Sequence, residues 1–172
     1  MLPLPAYRTY LLLSLLFGLV LAINLIGQQL PQWPLLVQVS KPLLMPILAW
    51  LLWLQKQGEK EKNWRIIWVG LVAAWMGDLM LMKGNEPSFF MAGLASFLLT
   101  HLLYIFYFWK YTNAVNPLSH LKNPGTLLAL GYAATLLNFL IPSLANMLVP
   151  VVIYTLVITL MLTVALATPE QL

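Results

Sequence analysis

The chain has 172 residues, of which 61% are hydrophobic and 8% charged, and its apolar runs repeatedly approach twenty residues. This composition predicts a polytopic membrane protein with a single integral membrane domain over residues 1–172, and it leaves no room for a separate soluble lobe. The absence of cysteine excludes disulfides, thiolate nucleophiles and cysteine-ligated metal sites, and the net charge of +4 does not predict nucleic-acid binding, because the basic residues lie in short loops.

Apolar segments bounded by proline and glycine predict an all-α, polytopic transmembrane helix bundle with about six helices. In chain order the predicted spans are residues 10–27, 33–54, 64–82, 89–109, 126–141 and 147–168. The first span follows Arg8, as the apolar part of a signal peptide would. It is long, however, and no small-residue cleavage site follows it, so we expect a retained anchor.

The second predicted helix carries a basic residue among prolines. Gln38, Lys41 and Met45 lie on one face, at spacings of three and four residues. Pro42 and Pro46 remove two backbone donors, which leaves carbonyl groups free and predicts a kink beside Lys41. For Lys41 itself we expect either pairing or phosphate binding, or a side chain that only reaches toward the outer interface.

The third predicted helix contains an aspartate in the stretch WMGDLMLM. An ionised carboxylate inside a bilayer costs about 3 kcal/mol on insertion scales, so an intramembrane acid is by default a functional candidate. The functional hypothesis makes Asp78 a catalytic group. The structural alternative makes it a salt-bridge or hydrogen-bond partner of Lys41, which we expect to approach it across the bundle.

The fourth predicted helix separates polar from aliphatic side chains. At 100° per residue one arc is predicted to face the bundle; it contains Gly93, Ser96, Thr100, His101, Tyr104 and Tyr107. The opposite arc is predicted to face lipid; it contains Ala95, Leu98, Leu99, Leu102, Ile105, Phe106 and Trp109. His101 would relay protons, orient water or merely bond Thr100 or Tyr104. The second histidine, His120, is interpreted as a solvated loop residue, and no metal site is expected.

The loops between the predicted spans indicate an orientation. Most basic residues fall at alternate membrane faces, whereas the opposite loops hold only Lys83. The positive-inside rule then places the N-terminus in the cytoplasm, most simply of a bacterial plasma membrane. In this orientation five polar residues lie in the outer half of the bundle and predict a polar chamber there: Asn24, Gln38, Lys41, Asp78 and Asn138. The three amides among them are expected to form interhelical hydrogen bonds.

Three blocks together resemble one family. They are KPLLMP at 41–46, GDLML at 77–81, and FFMAGLASFLLTHLLYIFYF at 89–108. The chain resembles the YhhN family, integral membrane proteins that include lysoplasmalogenases. The Gly-Asp pair, followed after a short loop by a Gly-x-x-x-Phe-x-x-x-His-x-x-Tyr helix, is fairly specific, and a weaker likeness continues through Tyr154 to Ala165.

The resemblance also implies a difference from typical members. These have about eight helices and a second Ser-Asp motif near the C-terminus, whereas this sequence predicts six helices, ends at TPEQL and has no second intramembrane acid. We therefore expect either a shortened relative or a fragment.

The activity that the resemblance implies is hydrolysis of the vinyl-ether bond of a lysoplasmalogen to a fatty aldehyde and a glycerophospho-base. Desolvation would keep Asp78 a neutral proton donor, whereas pairing with Lys41 would make it a carboxylate base or stabiliser, and both alternatives stay open. His101 would assist, Lys41 would lie near the substrate phosphate, and Tyr104 and Tyr154 would position the headgroup or merely bond a neighbouring helix.

This chemistry requires no cofactor, and the expected partners are the lysophospholipid substrate and membrane lipids. The alternative function is a small membrane transporter or lipid-binding subunit without catalytic activity.

Overall fold

A computed structural model describes residues 4–56, 64–83, 86–111, 123–144 and 147–167. Within these ranges the chain forms six helices and no strand: α1 (Leu4–Gln29), α2 (Pro34–Lys56), α3 (Trp64–Leu81), α4 (Pro87–Tyr111), α5 (Pro124–Leu144) and α6 (Leu148–Leu166). Each of the six is long and apolar enough to cross a membrane. The predicted all-α transmembrane class is confirmed.

The helix boundaries differ from the predicted spans by at most three residues, except at the N-terminal end of α1, which begins at Leu4 and not at residue 10. The helices α2, α4 and α5 begin at Pro34, Pro87 and Pro124. Proline is favoured in the first turn of a helix, where its missing N–H is not needed, whereas apolar length alone places the start at the first long hydrophobic run. The later prolines do not break α2, which continues through Pro42 and Pro46.

The chain divides into two compact units. The first contains Met1–Trp64 and Leu71–Ser96, and the second contains Arg65–Gly70 and Phe97–Leu172. The long helices α3 and α4 each contribute to both units. The single membrane domain expected over residues 1–172 stays a prediction.

In the first unit, α1 and α2 pack closely through a glycine and a buried amide. A Cβ on Gly27 would lie 2.9 Å from the Cβ of Leu36, so the glycine permits this approach. Asn24, only 4% exposed, donates to the Ser40 hydroxyl at 3.0 Å and accepts from Gln28 at 2.8 Å. The interhelical role predicted for Asn24 is confirmed.

In the first unit α3 and the start of α4 also pack closely, because α4 presents small residues at the contact. A Cβ on Gly93 would lie 2.8 Å from Leu81 and 3.2 Å from the Gly77 carbonyl. The Ser96 hydroxyl donates to the Ala73 carbonyl at 2.7 Å. Small residues thus permit close backbone approach, as is usual between membrane helices.

In the second unit, the rest of α4 packs on the first turns of α3. The Thr100 hydroxyl donates to the Gly70 carbonyl at 3.1 Å, and a Cβ on Gly70 would collide with the Tyr104 ring at 2.5 Å. On α6 the hydroxyls of Thr155, Thr159 and Thr163 each donate to the carbonyl four residues earlier. These threonines therefore satisfy their polar groups within their own helix.

Burial along α4 follows the predicted arcs with one exception. Gly93, Thr100 and Tyr107 are buried, while Leu99, Leu102, Phe106 and Trp109 are exposed, as expected for lipid contact. The prediction was wrong for Ile105, which is buried. The apolar surface of the described helices is extensive, and Phe139 on α5 is 83% exposed, which suits a hydrocarbon environment.

Candidate functional site

The first candidate site lies in the first unit, where α2 and α3 bring two charged side chains together. The Lys41 Nζ is 3.9 Å from the Asp78 Oδ1, and the two side chains are 25% and 17% exposed. The predicted approach of Lys41 to Asp78 is confirmed. The distance exceeds the 2.7–2.9 Å typical of a direct charge-assisted hydrogen bond, so the pair is close without being locked.

A tryptophan fixes the backbone beside this pair. Pro46 has no N–H, so the Pro42 carbonyl lacks the helical donor that residue 46 would normally supply. The Trp75 indole fills that position, because its Nε1 donates to the Pro42 carbonyl at 2.9 Å. Pro42 follows Lys41 on α2, and Trp75 precedes Asp78 by one turn on α3. This hydrogen bond therefore joins the α2 backbone beside Lys41 to α3, the helix that carries Asp78.

The second candidate site lies in the second unit and is centred on His101. Its Nε2 lies 3.2 Å from the Tyr154 hydroxyl oxygen and its Nδ1 lies 3.3 Å from the Met161 sulfur. The two aromatic rings are 5.5 Å apart and tilted by 53°. A thioether sulfur can only accept, so this geometry places a proton on Nδ1, whereas the Tyr154 hydroxyl can either donate to Nε2 or accept from it.

These contacts correct the expected surroundings of His101. The sequence placed Thr100 or Tyr104 beside it, but the Thr100 hydroxyl bonds the Gly70 carbonyl and the Tyr104 ring lies against Gly70. The two ring nitrogens of His101 instead contact Tyr154 and Met161, both on α6. Residues adjacent on a helical wheel share a face, but rotamers direct their polar ends to different neighbours.

Burial supports three of the five residues predicted to form a polar chamber, and the chamber itself stays a prediction. Asn24, Lys41 and Asp78 are buried or half-buried in the first unit, but Gln38 and Asn138 are exposed. The interhelical hydrogen bonds expected of Gln38 and Asn138 are therefore absent from the described structure. His120 lies outside the described residues. The catalytic and substrate-binding roles of Asp78, His101, Lys41, Tyr104 and Tyr154 stay predictions.

Sequence reasoning missed two residues of these sites. Trp75 had an available signal, because a proline four residues after a carbonyl leaves that carbonyl free for a donor on another helix. Met161 had none, because a methionine on an apolar helix is typical of packing.

The charged pair and His101 lie in the three sequence blocks that resemble the YhhN family. Lys41 belongs to KPLLMP, Asp78 belongs to GDLML, and His101 belongs to the block at 89–108 on α4. The family model described as the YhhN family matches residues 36–172, which include Lys41, Asp78 and His101. Neither a curated protein nor a solved structure matches the chain. Because the family match extends from α2 through α6 and takes in every residue of both sites, the chain belongs to the YhhN family.

Proposed function

We propose that this protein is a lysoplasmalogenase-like intramembrane hydrolase that cleaves the vinyl-ether bond of lysoplasmalogens. The observation that supports this most is the Lys41–Asp78 pair, whose charged atoms lie 3.9 Å apart between membrane-spanning helices in the family-matched part of the chain. Intramembrane charges are costly and are usually retained for function.

The reaction needs an acid that protonates carbon. In its protonated form Asp78 transfers a proton to the β-carbon of the vinyl ether, which leaves an oxocarbenium ion on the neighbouring carbon and a carboxylate on Asp78. Water adds to the oxocarbenium carbon and returns a proton to that carboxylate. The hemiacetal then collapses to fatty aldehyde and the glycerol hydroxyl of the glycerophospho-base, so one water is consumed in total.

Lys41 has two roles in this scheme. Its ammonium stabilises the carboxylate that remains after proton transfer, because opposite charges attract strongly in a medium of low dielectric constant. An ammonium carries three N–H donors, so the same group also binds the substrate phosphate. The 3.9 Å separation supports this double use, since Lys41 is not committed to a short bond with Asp78.

We assign an assisting role to His101 and substrate-positioning roles to Tyr104 and Tyr154. The contact between the Tyr154 hydroxyl and the His101 Nε2 supplies a hydroxyl–imidazole pair able to pass a proton or orient water. Tyr104, held against Gly70, presents an amphipathic ring within the same unit.

The test is an aldehyde assay on the purified protein. A lysoplasmalogen and its saturated lyso-ether analogue are supplied side by side, with Asp78→Asn protein as the matched control. We expect free aldehyde from the vinyl ether alone, and only with the unsubstituted protein. In heavy water the aldehyde should carry one deuterium on the carbon next to the carbonyl, because the proton is delivered to that carbon.

Two results would contradict the proposal. Equal inertness toward both lipids would favour a transporter or lipid-binding subunit without catalytic activity. Aldehyde release without deuterium at that carbon would exclude carbon protonation as the mechanism.

A further inference from the structure

The side of α5 that points away from α6 carries an amide, Asn138. Four residues of α5 line a cavity between the two helices and therefore face α6: Ala129, Ala133, Leu136 and Leu140. At 100° per residue the Asn138 side chain points about 160° away from both Leu136 and Leu140. Asn138 is also exposed. Its amide therefore faces the surrounding bilayer and not the helix against which α5 packs.

This amide lies at membrane depth. The 21 residues of α5 rise roughly 30 Å, which is the thickness of the hydrocarbon core of a bilayer. Asn138 lies within the membrane-spanning segment Pro124–Pro142, about 9 Å along the axis from the end of α5 at Leu144. Long lysine and arginine side chains can reach the interface from such a depth, but asparagine has a single methylene. The amide therefore stays among acyl chains.

Asn138 presents hydrogen-bonding groups that α5 does not satisfy. Pro142 lies inside α5 and has no N–H, so the Asn138 carbonyl lacks the donor that residue 142 supplies in a regular helix. The side-chain amide adds two N–H donors and one acceptor oxygen, and within the described residues it has no hydrogen-bond partner. Thr135, one turn earlier, instead donates its hydroxyl to the Gly131 carbonyl. Acyl chains offer an amide nothing, so Asn138 requires a polar partner from outside the described residues.

We propose that the C-terminal half of α5 binds a second copy of this chain, with the two Asn138 side chains paired across a two-fold axis along the membrane normal. An amide is self-complementary, because each Nδ2 can donate to the Oδ1 of the other copy. The carbonyl that Pro142 leaves open offers a further acceptor. Two copies inserted in the same orientation carry this amide at the same depth, a match that an unrelated helix would need from its own sequence. The contact does not depend on vinyl-ether hydrolysis.

The residues around Asn138 suit a close approach of two helices. Ala134 and Thr135 lie one turn before it, and both are small and exposed. Ile141, which is 48% exposed, lies one turn after it and supplies an apolar flank. Small residues that admit a neighbouring backbone, together with a side chain that bonds across the helices, are typical of contacts between membrane helices. The packing and the hydrogen-bonding groups therefore favour the same surface.

A second exposed amide provides a contrast. Gln38 on α2 is also exposed, but it lies about 6 Å from the start of α2 at Pro34. Glutamine has one methylene more than asparagine, so the Gln38 amide reaches further toward the interface. Loss of this amide should therefore leave the contact between copies unchanged. Gln38→Leu is thus the matched control for Asn138→Leu.

Cysteine cross-linking tests the surface directly, because the chain contains no cysteine. Ala134→Cys places a thiol beside Asn138, whereas Ala133→Cys places one at the preceding position, which lines the cavity toward α6. Each full-length variant is oxidised in the membranes of the cells that produce it. A disulfide requires Cα atoms within about 7 Å, so Ala134→Cys should yield a covalent dimer and Ala133→Cys should remain a monomer. Equal cross-linking of the two variants, or none of Ala134→Cys, would overturn the proposal.

Sedimentation equilibrium in density-matched detergent micelles measures what the amide contributes. The unsubstituted protein should dimerise, and Asn138→Leu should raise the dissociation constant by roughly tenfold or more, because two symmetry-related hydrogen bonds are lost. Asn138→Gln keeps the amide and should retain most of the affinity, and Gln38→Leu should not change it. Circular dichroism confirms that each variant is helical. A monomeric unsubstituted protein, an unchanged constant for Asn138→Leu, or an equal weakening by Gln38→Leu would overturn the proposal.

Discussion

At the scale of single residues, Asp78 is the one acid within a membrane-spanning helix in the part of the chain that the structure describes. Asparagine in its place keeps the shape and most hydrogen bonds but cannot exchange a proton. If Asp78 is the acid-base group, Asp78→Asn should lower aldehyde formation by roughly 100-fold or more, which is the contribution of general acid-base catalysis. The measurement is the initial rate per folded molecule, and Asp78→Glu, which keeps the carboxyl group, should retain some activity.

The same substitution separates catalysis from a structural ion pair. A structural pair predicts the reverse pattern: Asp78→Asn would leave the Lys41 charge without its partner and lower the thermal unfolding midpoint, with activity per folded molecule nearly unchanged. A stable and fully active Asp78→Asn protein would remove Asp78 from the mechanism. If the unsubstituted protein forms no aldehyde, lysolipid affinity is compared between the two proteins instead.

At the scale of helices, the contact between α2 and α3 depends on one indole N–H. Trp75→Phe keeps an aromatic ring but leaves the Pro42 carbonyl without its donor. We expect a loss of about 1 kcal/mol in the free energy of unfolding, the usual size of a hydrogen bond between membrane helices. Aldehyde formation should fall as well, because the bond fixes the backbone beside Lys41. Thermal or denaturant unfolding in detergent measures the first effect.

A double-mutant cycle provides the control for this bond. Pro46→Ala restores an N–H that can reach the Pro42 carbonyl within α2, so Trp75→Phe should cost much less in that background. If Trp75→Phe costs the same with and without Pro46, the indole stabilises the protein by packing alone.

Two glycines on different helices should respond in opposite directions to alanine. A Cβ on Gly93 meets Leu81 at 2.8 Å and the Gly77 carbonyl at 3.2 Å, so Gly93→Ala overpacks α3 against α4 and should destabilise by about 1–3 kcal/mol. Nothing lies within 4 Å of a Cβ on Gly131, so Gly131→Ala should stabilise α5 by roughly 0.5–1 kcal/mol through its helix propensity. Equal unfolding midpoints for the two variants would contradict the close packing.

The helices themselves were predictable, because a backbone in hydrocarbon must satisfy its own hydrogen bonds and apolar length therefore indicates each span. The contact between Lys41 and Asp78 was also predictable, since the 1.5 Å rise per residue gives their depths. The partners of His101 were not, because depth says nothing about the rotation of α6. The interhelical hydrogen bonds predicted for Gln38 and Asn138 were wrong for the same reason, because polarity alone does not indicate which side of a helix faces the bundle.

At the scale of the whole molecule, the distribution of basic residues determines which side of the membrane each loop occupies. Residues 57–63 lie outside the described residues. In the sequence, this segment and its neighbours contain four basic residues: Lys56, Lys60, Lys62 and Arg65. The segment between α3 and α4 contains one basic residue, Lys83. Short loops rich in lysine and arginine stay in the cytoplasm. The N-terminus, the loop at 57–63 and the loop at 112–122 are therefore predicted to share the cytoplasmic side.

Cysteine labelling tests this orientation against a clean background, because the chain contains no cysteine. In intact cells an impermeant thiol reagent should leave Gln57→Cys unlabelled and should label Gln32→Cys, which lies between α1 and α2 on the predicted outer side. Both positions should react after the cells are opened, which shows that each thiol is accessible. Labelling of Gln57→Cys and protection of Gln32→Cys in intact cells would reverse the orientation. Lys41 and Asp78 would then lie in the cytoplasmic half of the membrane, and substrate would have to reach them from that leaflet.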